Sequence, residues 1–176
     1  METLFAKQDR LLSLTSTEII RTLMHRINWD AQLVAIRGPR GVGKTTLMLQ
    51  YMKLHYEVYS RDVLYCTLDS VYFSNHTLLE LADVFVKNGG KHLFLDEVHK
   101  YPTWSKEIKE VYDMYPDLKV VFSASSLLNI LNADADLSRR CIPYEMQGLS
   151  FREFLLFYKQ MSFPVCTLEE VLTSPE

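Results

Sequence analysis

Several features that mark particular classes of protein are scarce or absent in this sequence of 176 residues. It has only three cysteines, which are far apart and in no CxxC spacing, so neither a disulfide framework nor a zinc site is expected. No apolar run approaches the roughly 20 residues that a membrane-spanning helix needs. The N-terminus carries Glu2 and no apolar segment of a secretory signal. We therefore expect a cytoplasmic protein with reduced thiols and no membrane association.

The sequence also lacks a strong excess of either charge. Its formal net charge of -3 provides no general attraction to phosphate backbones, so the composition does not predict binding to nucleic acid or to an anionic membrane. Hydrophobic residues make up 48% and charged residues 23%, which is typical of a soluble globular protein. The length fits a single domain without repeats or low-complexity tracts.

Short apolar runs and amphipathic segments alternate along the chain. Thr15 with Glu18 forms a capping-box pattern that predicts a helix before the first strand, with Ile20, Met24 and Ile27 on its apolar face. Strands are predicted at 32–36, 63–68, 92–95, 118–122 and 141–146, and further helices at about 44–55, 77–86, 104–115 and 150–158. This alternation predicts an α/β fold, with a parallel sheet between two layers of helices and ligands beyond the carboxyl ends of the strands.

A complete phosphate-binding motif lies between the first strand and the next helix. Residues 38–45, Gly-Pro-Arg-Gly-Val-Gly-Lys-Thr, match G-x-x-x-x-G-K-[ST], and the flanking strand and helix separate this motif from a chance glycine-rich turn. The glycines let backbone N–H groups surround the phosphates, and the helix N-terminus adds its own amides and dipole. Lys44 would contact the β- and γ-phosphates, and the Thr45 hydroxyl would ligate Mg²⁺. The predicted nucleotide-binding residues are Gly38, Pro39, Arg40, Gly41, Val42, Gly43, Lys44, Thr45 and Thr46.

Two carboxylates follow the apolar part of the third strand. Asp96 is the expected Walker B residue, which would hold Mg²⁺ mainly through its water shell. Glu97 lies where the strand gives way to a loop, so its carboxylate can orient and polarise an attacking water. A solvated acidic pair is the alternative, but the preceding phosphate motif favours the metal and catalytic roles. No N-K-x-D guanine motif occurs, so adenine is favoured by elimination.

Hydroxyl groups and two arginines supply the remaining catalytic candidates. The fourth strand ends in Ser-Ala-Ser-Ser, where Ser123 or Ser125 could contact the γ-phosphate or the attacking water as the sensor 1 residue. A serine-rich turn explains either serine equally well, and the sequence does not choose between them. Arg139 and Arg140 precede the fifth strand, where an arginine could reach the γ-phosphate of a neighbouring subunit. Adjacent arginines more often lie on an exposed surface.

Three runs are distinctive: residues 38–46 (GPRGVGKTT), 95–104 (LDEVHKYPTW) and 148–154 (GLSFREF). With these runs the sequence resembles a group of prokaryotic AAA-type ATPases, and the resemblance covers nearly the whole chain. It implies a three-layer P-loop NTPase of the additional-strand type, with a five-stranded parallel sheet in the order 5-1-4-3-2. It also implies ATP binding by Gly41, Gly43, Lys44 and Thr45, magnesium handling by Asp96 and hydrolysis assisted by Glu97. Arg140 matches the arginine of the family's usual Gly-Arg pair before the fifth strand.

Members of this group usually continue into a winged-helix region and a nuclease-like C-terminal domain of unknown function. The resemblance therefore implies an ATPase core with an N-terminal helix at 1–160, and the start of a truncated lid or C-terminal region at 161–176. Nucleic-acid or protein partners are expected only through those missing domains, and a homo-oligomer stays open. Outside the site, Ser150 and Glu153 are expected to cap a helix with aromatic core contacts, Trp104 to pack on the sheet, and His99 to lie on a surface or loop.

The leading hypothesis is an ATPase whose hydrolysis drives a conformational change in an attached domain. A non-hydrolysing ATP-binding switch is the first alternative, because binding alone can order a domain. A small-molecule kinase is the second, although the stretch between Ala124 and Cys141 has only two arginines where a kinase usually carries an arginine-rich lid. Nucleic-acid remodelling is the third and would depend on absent domains or on oligomerisation.

Overall fold

The computed structural model of the protein describes residues 1–124, 137, 139–164 and 166–173. The strands are β1 (Leu33–Arg37), β2 (Val63–Thr67), β3 (His92–Asp96), β4 (Lys119–Ala124) and β5 (Ile142–Glu145). The helices of the described part are α1 (Glu2–Leu14), α2 (Lys44–His55), α3 (Leu78–Lys87), α4 (Trp104–Met114), α5 (Phe151–Lys159) and α6 (Leu168–Thr173). Within these residues no helix is both long enough and apolar enough to cross a membrane.

The five strands form one sheet in the order β2-β3-β4-β1-β5, and all neighbouring strands are parallel. This is the predicted 5-1-4-3-2 order counted from the opposite edge, so the α/β fold of the additional-strand type is confirmed. Because β4 lies between β1 and β3, the ends of these three strands are adjacent. The phosphate motif after β1 and the carboxylates after β3 therefore share one edge of the sheet.

Helices cover both faces of the sheet. One face packs against α1, α3 and α4 in a single apolar cluster. The other face packs against α2 and against Met24, Ile27 and Trp29 of the segment before β1. The central strands are buried on both sides, which explains why they appear in the sequence as continuous apolar runs without a polar alternation. Trp104 is buried against this sheet, as predicted.

The predicted helix beginning at Thr15 and Glu18 is wrong. Thr15 is instead the C-cap of α1, a helix that the sequence patterns did not reveal, and only a short 3₁₀ turn, Thr22–His25, follows. Tertiary hydrogen bonds from α2 stabilise the non-helical backbone of this segment. Gln50 Nε2 donates to the carbonyls of Ser16 and Ile19 at 2.8 and 2.9 Å. These two backbone carbonyls therefore have hydrogen-bond donors, although the segment that contains them forms no α-helix.

The two other capping boxes form as predicted, but the aromatic face of α5 does not enter the core. Thr77 and Ser150 cap α3 and α5, each with a reciprocal glutamate three residues on. Along α5 the exposed fractions are 75% for Phe151, 42% for Phe154 and 68% for Tyr158, so the expected aromatic core contacts are wrong. The residue of α5 that is buried is its capping glutamate, Glu153.

Glu153 is buried because it has hydrogen-bond donors from a distant segment. Its Oε1 accepts from Arg21 Nε at 2.9 Å and from the hydroxyl of Thr22 at 2.8 Å. The same guanidinium donates through Nη1 to the carbonyl of Val42 in the phosphate motif at 3.0 Å, and through Nη2 to the carbonyls of Gln147 and Gly148. Arg21 therefore joins the phosphate loop, the segment after β5 and the start of α5.

This environment changes the pKa of the Glu153 carboxyl. Burial alone would raise the pKa, but the hydrogen bonds from Arg21, Ser150 and Thr22 outweigh burial and lower it from 4.5 to about 2. The folded protein therefore favours the ionised form more strongly than the unfolded chain does. The resulting stabilisation is present above about pH 5 and is lost as the pH falls toward 2.

We predict that Glu153→Gln lowers the free energy of unfolding at pH 7 by about 2–3 kcal/mol, because it leaves the Arg21 guanidinium, whose side chain is only 12% exposed, without its counter-charge. Glu80→Gln is the matched control, since Glu80 closes the equivalent capping box of α3 but is exposed and pairs with no arginine among the described contacts. It should cost less than about 1 kcal/mol. Urea denaturation of the three proteins measures these differences.

The pH dependence provides a second measurement on the same variants. The stability difference between the parent and Glu153→Gln should be largest above about pH 5 and should shrink as the pH is lowered toward 2. Equal costs for the two glutamine variants at pH 7, or a difference that does not change with pH, would contradict the role assigned to Glu153.

Candidate nucleotide-binding site

The loop between β1 and α2 has the backbone shape that its glycines allow. Gly41 and Gly43 have φ of 82° and 98°, in the left-handed region where a side chain would be strained. Gly38 faces a different constraint, because a Cβ atom there would lie 2.1 Å from the carbonyl oxygen of Met146 just after β5. Gly43 is the N-cap of α2, so the free amides of this helix begin at the end of the loop.

Lys44 holds the loop closed from the inside. Its side chain is buried, and Nζ donates to the carbonyls of Gly38 at 2.8 Å and Pro39 at 2.9 Å. Burial lowers the pKa of Lys44, while the nearby charges of Glu97 and Asp96 oppose this shift. The ammonium group therefore lies where a phosphate group could replace the two carbonyls as its partner.

The other predicted loop residues have different environments. Arg40 is exposed at the tip of the loop, Val42 offers its carbonyl to Arg21, and Thr46 is exposed in the first turn of α2. Thr45, in the same turn, points its hydroxyl toward the end of β3, where it donates to Asp96. The loop and the acidic strand end are thus in direct contact.

The Asp96 carboxylate is buried and accepts four hydrogen bonds. Oδ2 accepts from the Thr45 hydroxyl at 2.6 Å and from the Tyr65 hydroxyl at 2.8 Å. Oδ1 accepts from the Ser123 hydroxyl and from the backbone N–H of Glu97. These donors come from α2, β2, β4 and the residue after β3, so the two predicted metal ligands, Thr45 and Asp96, lie together.

The chemistry of this donor set fits Mg²⁺. A hydroxyl and a carboxylate are hard oxygen donors, and Mg²⁺ typically uses one or two such groups together with waters and phosphate oxygens. The described residues contain no cluster of three or more His, Cys, Asp or Glu side chains that could form an all-protein metal site. Thr45 and Asp96 therefore suit a metal ion that arrives with a nucleotide.

Glu97 leaves the strand in a strained conformation. Its φ of 55° and ψ of 40° lie in the left-handed region, and its N–H donates to the hydroxyl of Ser123 at 3.1 Å as well as to Asp96. Its side chain is 32% exposed, whereas Asp96 is buried. Non-glycine residues in this region often lie at functional sites.

His99 is closer to the site than expected. Its side chain is only 13% exposed, and Nε2 lies 3.4 Å from Oε2 of Glu97, so His99 occupies the expected loop position, in a 3₁₀ turn, and also contacts a candidate site residue. The 3₁₀ turn Val98–Lys100 causes this approach, because it folds the chain back after Glu97. Glu97 and His99 line an open cleft together with Arg40, Asp69 and Lys100.

The structure distinguishes among the remaining candidates. Ser123 is fully buried and bonds to both Asp96 and Glu97, whereas Ser125 lies outside the described residues. Arg140 does not reach the site of its own chain. It lies before β5 at the amino ends of the strands, where its Nε donates to Asp113 of α4 at 3.0 Å.

Tyr65 is a site residue that the sequence patterns missed. It is buried in β2, and burial, followed by the charge of Asp96, raises the pKa of its hydroxyl. Register could have indicated it, since Thr67 pairs with Asp96 and Tyr65, two residues earlier, points to the same face of the sheet. Gln8 of α1 fixes the backbone here, because its Oε1 accepts from the Tyr65 N–H at 2.7 Å.

Comparisons with known proteins extend this description. A family model described as an AAA domain matches residues 30–155. The uncharacterized proteins MJ1637 and MJ1544 of Methanocaldococcus jannaschii are 26% identical over 155 residues and 29% identical over 131 residues. These alignments cover 84% and 72% of this chain but 32% and 29% of the relatives, so the chain spans about a third of their length. The structure of C. elegans PCH-2 is 14% identical, with a TM-score of 0.49 over 84% of this chain and 42% of that one.

The family match covers most of the chain and contains every element of the site. It begins before β1, includes the phosphate loop and the acidic end of β3, and ends within α5. The matched residues include all five strands of the sheet and both Thr45 and Asp96. The chain therefore belongs to the AAA domain family and is a nucleotide-binding domain of the P-loop ATPase type.

Proposed function

We propose that this domain binds ATP together with Mg²⁺, hydrolyses it to ADP and phosphate, and uses the cycle to change the conformation of attached domains. The observation that carries the proposal is the contact between the phosphate loop and the acidic strand end. Thr45 donates to Asp96 at 2.6 Å, and Glu97 follows with a partly exposed carboxylate in the cleft that Arg40 also lines. One edge of the sheet thus combines groups that suit phosphate, metal and water.

Phosphate binding is assigned to the loop and to the start of α2. The inward-facing amides of a glycine-rich loop and the positive end of the helix dipole stabilise anionic oxygens. Lys44 adds a buried ammonium group that exchanges the carbonyls of Gly38 and Pro39 for phosphate oxygens. Because this lysine is already buried within the loop, little side-chain rearrangement is needed when the nucleotide binds.

Metal binding is assigned to Thr45 and Asp96. When bound, Mg²⁺ would neutralise charge on the β- and γ-phosphates. Thr45 can donate its proton to Asp96 and still offer an oxygen lone pair, so the hydrogen bond at 2.6 Å is compatible with metal ligation. Asp96 would accept from the waters of the hydrated ion.

Water activation is assigned to Glu97. Its backbone is held by Asp96 and Ser123, so the position of its Cα is defined while its carboxylate faces the cleft. From there it accepts a hydrogen bond from the water that attacks the γ-phosphate, which increases the nucleophilicity of that water. Ser123 is assigned as the sensor 1 candidate, because its hydroxyl contacts both acidic residues.

The proposed action on attached domains is based on the greater chain length of the relatives. This chain spans about a third of their length, so a conformational change driven by the nucleotide would act on regions outside residues 1–160. An arginine supplied by a neighbouring subunit remains part of this proposal. Arg140 would serve there only after it leaves Asp113, since the two side chains form an ion pair within one chain.

We predict that Lys44→Ala abolishes or severely weakens ATP binding, because a charge-assisted contact to the phosphates is lost. Lys91→Ala is the matched control, since Lys91 carries the same charge but pairs with Asp62 on the surface. ATP present at a hundredfold excess over its Kd should raise the stability of the parent and the control by about 2.7 kcal/mol. Calorimetry and thermal denaturation with Mg-ATP measure both effects, and unchanged affinity in Lys44→Ala would remove the role of Lys44.

We further predict that Glu97→Gln retains ATP binding but loses phosphate release by a factor of about 10² or more, because the amide cannot act as a base. A phosphate-release assay on the parent and the variant at saturating Mg-ATP measures this. If the parent binds ATP and releases no phosphate, the domain is a non-hydrolysing switch. If the variant releases phosphate as fast as the parent, another group activates the water.

A further inference from the structure

The tyrosine hydroxyl on Asp96 is a contact that the phosphate and Walker B motifs do not include. Asp96 Oδ2 has two hydroxyl donors, Thr45 at 2.6 Å and Tyr65 at 2.8 Å. The two donors belong to different layers of the domain, since Thr45 lies on α2 and Tyr65 on β2. The carboxylate oxygen is therefore positioned from two directions.

In the proposed function Thr45 also ligates the metal ion, whereas Tyr65 does not. In the proposed function its oxygen would ligate Mg²⁺, so its orientation depends on the ion as well as on Asp96. Tyr65 has no such additional partner among the described contacts of its hydroxyl, which donates to Oδ2 alone. Tyr65 thus offers a constraint on Asp96 that can persist in the presence and in the absence of the ion.

The position of Tyr65 is itself well defined. Its ring is buried in the apolar cluster between the sheet and α2, which also contains Phe94 and Val63. Its N–H donates to Gln8 Oε1 at 2.7 Å, and Nε2 of the same Gln8 donates to the carbonyl of Val63 at 3.3 Å, so α1 covers the free edge of β2 at this residue. A rigid ring on a fixed backbone can hold a carboxylate within a narrow range of orientations.

We propose that Tyr65 is a positioning residue for magnesium, which orients the Asp96 carboxylate toward the hydrated ion by its hydrogen bond to Oδ2. This inference rests on the proposed function, since it concerns the same metal-nucleotide site. Hydrogen-bond partners of metal-binding groups typically change metal affinity by 10- to 100-fold when they are removed. The hydroxyl of Tyr65 is such a partner, and its described hydrogen bond goes to Asp96 and not to the phosphate loop.

The test is Tyr65→Phe, which removes the hydroxyl and keeps the ring. Tyr56→Phe is the matched control, because its hydroxyl is also partly buried but pairs with His92 Nδ1 at 2.6 Å, outside the site. The binding of a fluorescent ATP analogue to the full chain is measured during a Mg²⁺ titration and also in EDTA. We expect the Mg²⁺ midpoint to rise at least tenfold in Tyr65→Phe and to change less than about twofold in Tyr56→Phe. Binding in EDTA should be equal in all three proteins.

The outcomes separate this inference from the proposed function. If the parent does not bind the analogue with Mg²⁺, the proposed function fails. If the parent binds it and Tyr65→Phe has the same or a lower Mg²⁺ midpoint, only the role of Tyr65 is wrong. Loss of binding in EDTA as well would show a structural effect of Tyr65 and would also overturn the inference.

A second measurement does not depend on the folding of the variant. Fluorotyrosine incorporated at position 65 of the otherwise unchanged chain reports on the environment of this ring by ¹⁹F NMR. Its resonance should move when Mg²⁺ is added to the protein with the ATP analogue, and should move less when Mg²⁺ is added without nucleotide. A resonance whose chemical shift does not change when Mg²⁺ is added, either with or without the ATP analogue, would contradict the proposal.

Discussion

The buried carboxylate of Asp96 is the group on which the arrangement of the site depends. A charge in this position is costly unless donors surround it, and four donors do so here. They come from α2, β2, β4 and the turn after β3, so the carboxylate ties the phosphate loop to three parts of the sheet edge. The energetic need to satisfy one anion thereby defines the relative positions of Thr45, Ser123 and Glu97.

Many of the helices and strands that form the site could be predicted from the sequence, because their sequences carry strong local signals. The helix after the phosphate loop has the predicted bounds 44–55, and the capping boxes at Thr77 and Ser150 form as expected. The strand order followed from the family resemblance and is confirmed. Glycine spacing, capping residues and apolar runs act over a few residues, so one sequence is enough to identify them.

The features that were missed depend on contacts between distant residues. The segment after Thr15 has a capping pattern, but it is not helical, and two of its carbonyls accept hydrogen bonds from Gln50 of α2. Tyr65 looks like an ordinary strand residue until the pairing of β2 with β3 brings it to Asp96. The face of α5 could not be predicted because Glu153, a polar residue, is the one that is buried. In each case the decisive hydrogen bond joins residues that are far apart in the sequence, so local patterns do not reveal it.

Two networks of hydrogen bonds connect the phosphate loop to different helices. On one side Thr45 connects the loop to Asp96 and, through Tyr65 and Gln8, to α1. On the other side Arg21 connects the carbonyl of Val42 to Glu153 at the start of α5. One guanidinium therefore holds the phosphate loop and the first turn of α5 together, and this turn belongs to a helix whose aromatic face is exposed. The position of α5 thus depends on a charged contact to the loop and not on apolar packing of its aromatic side chains.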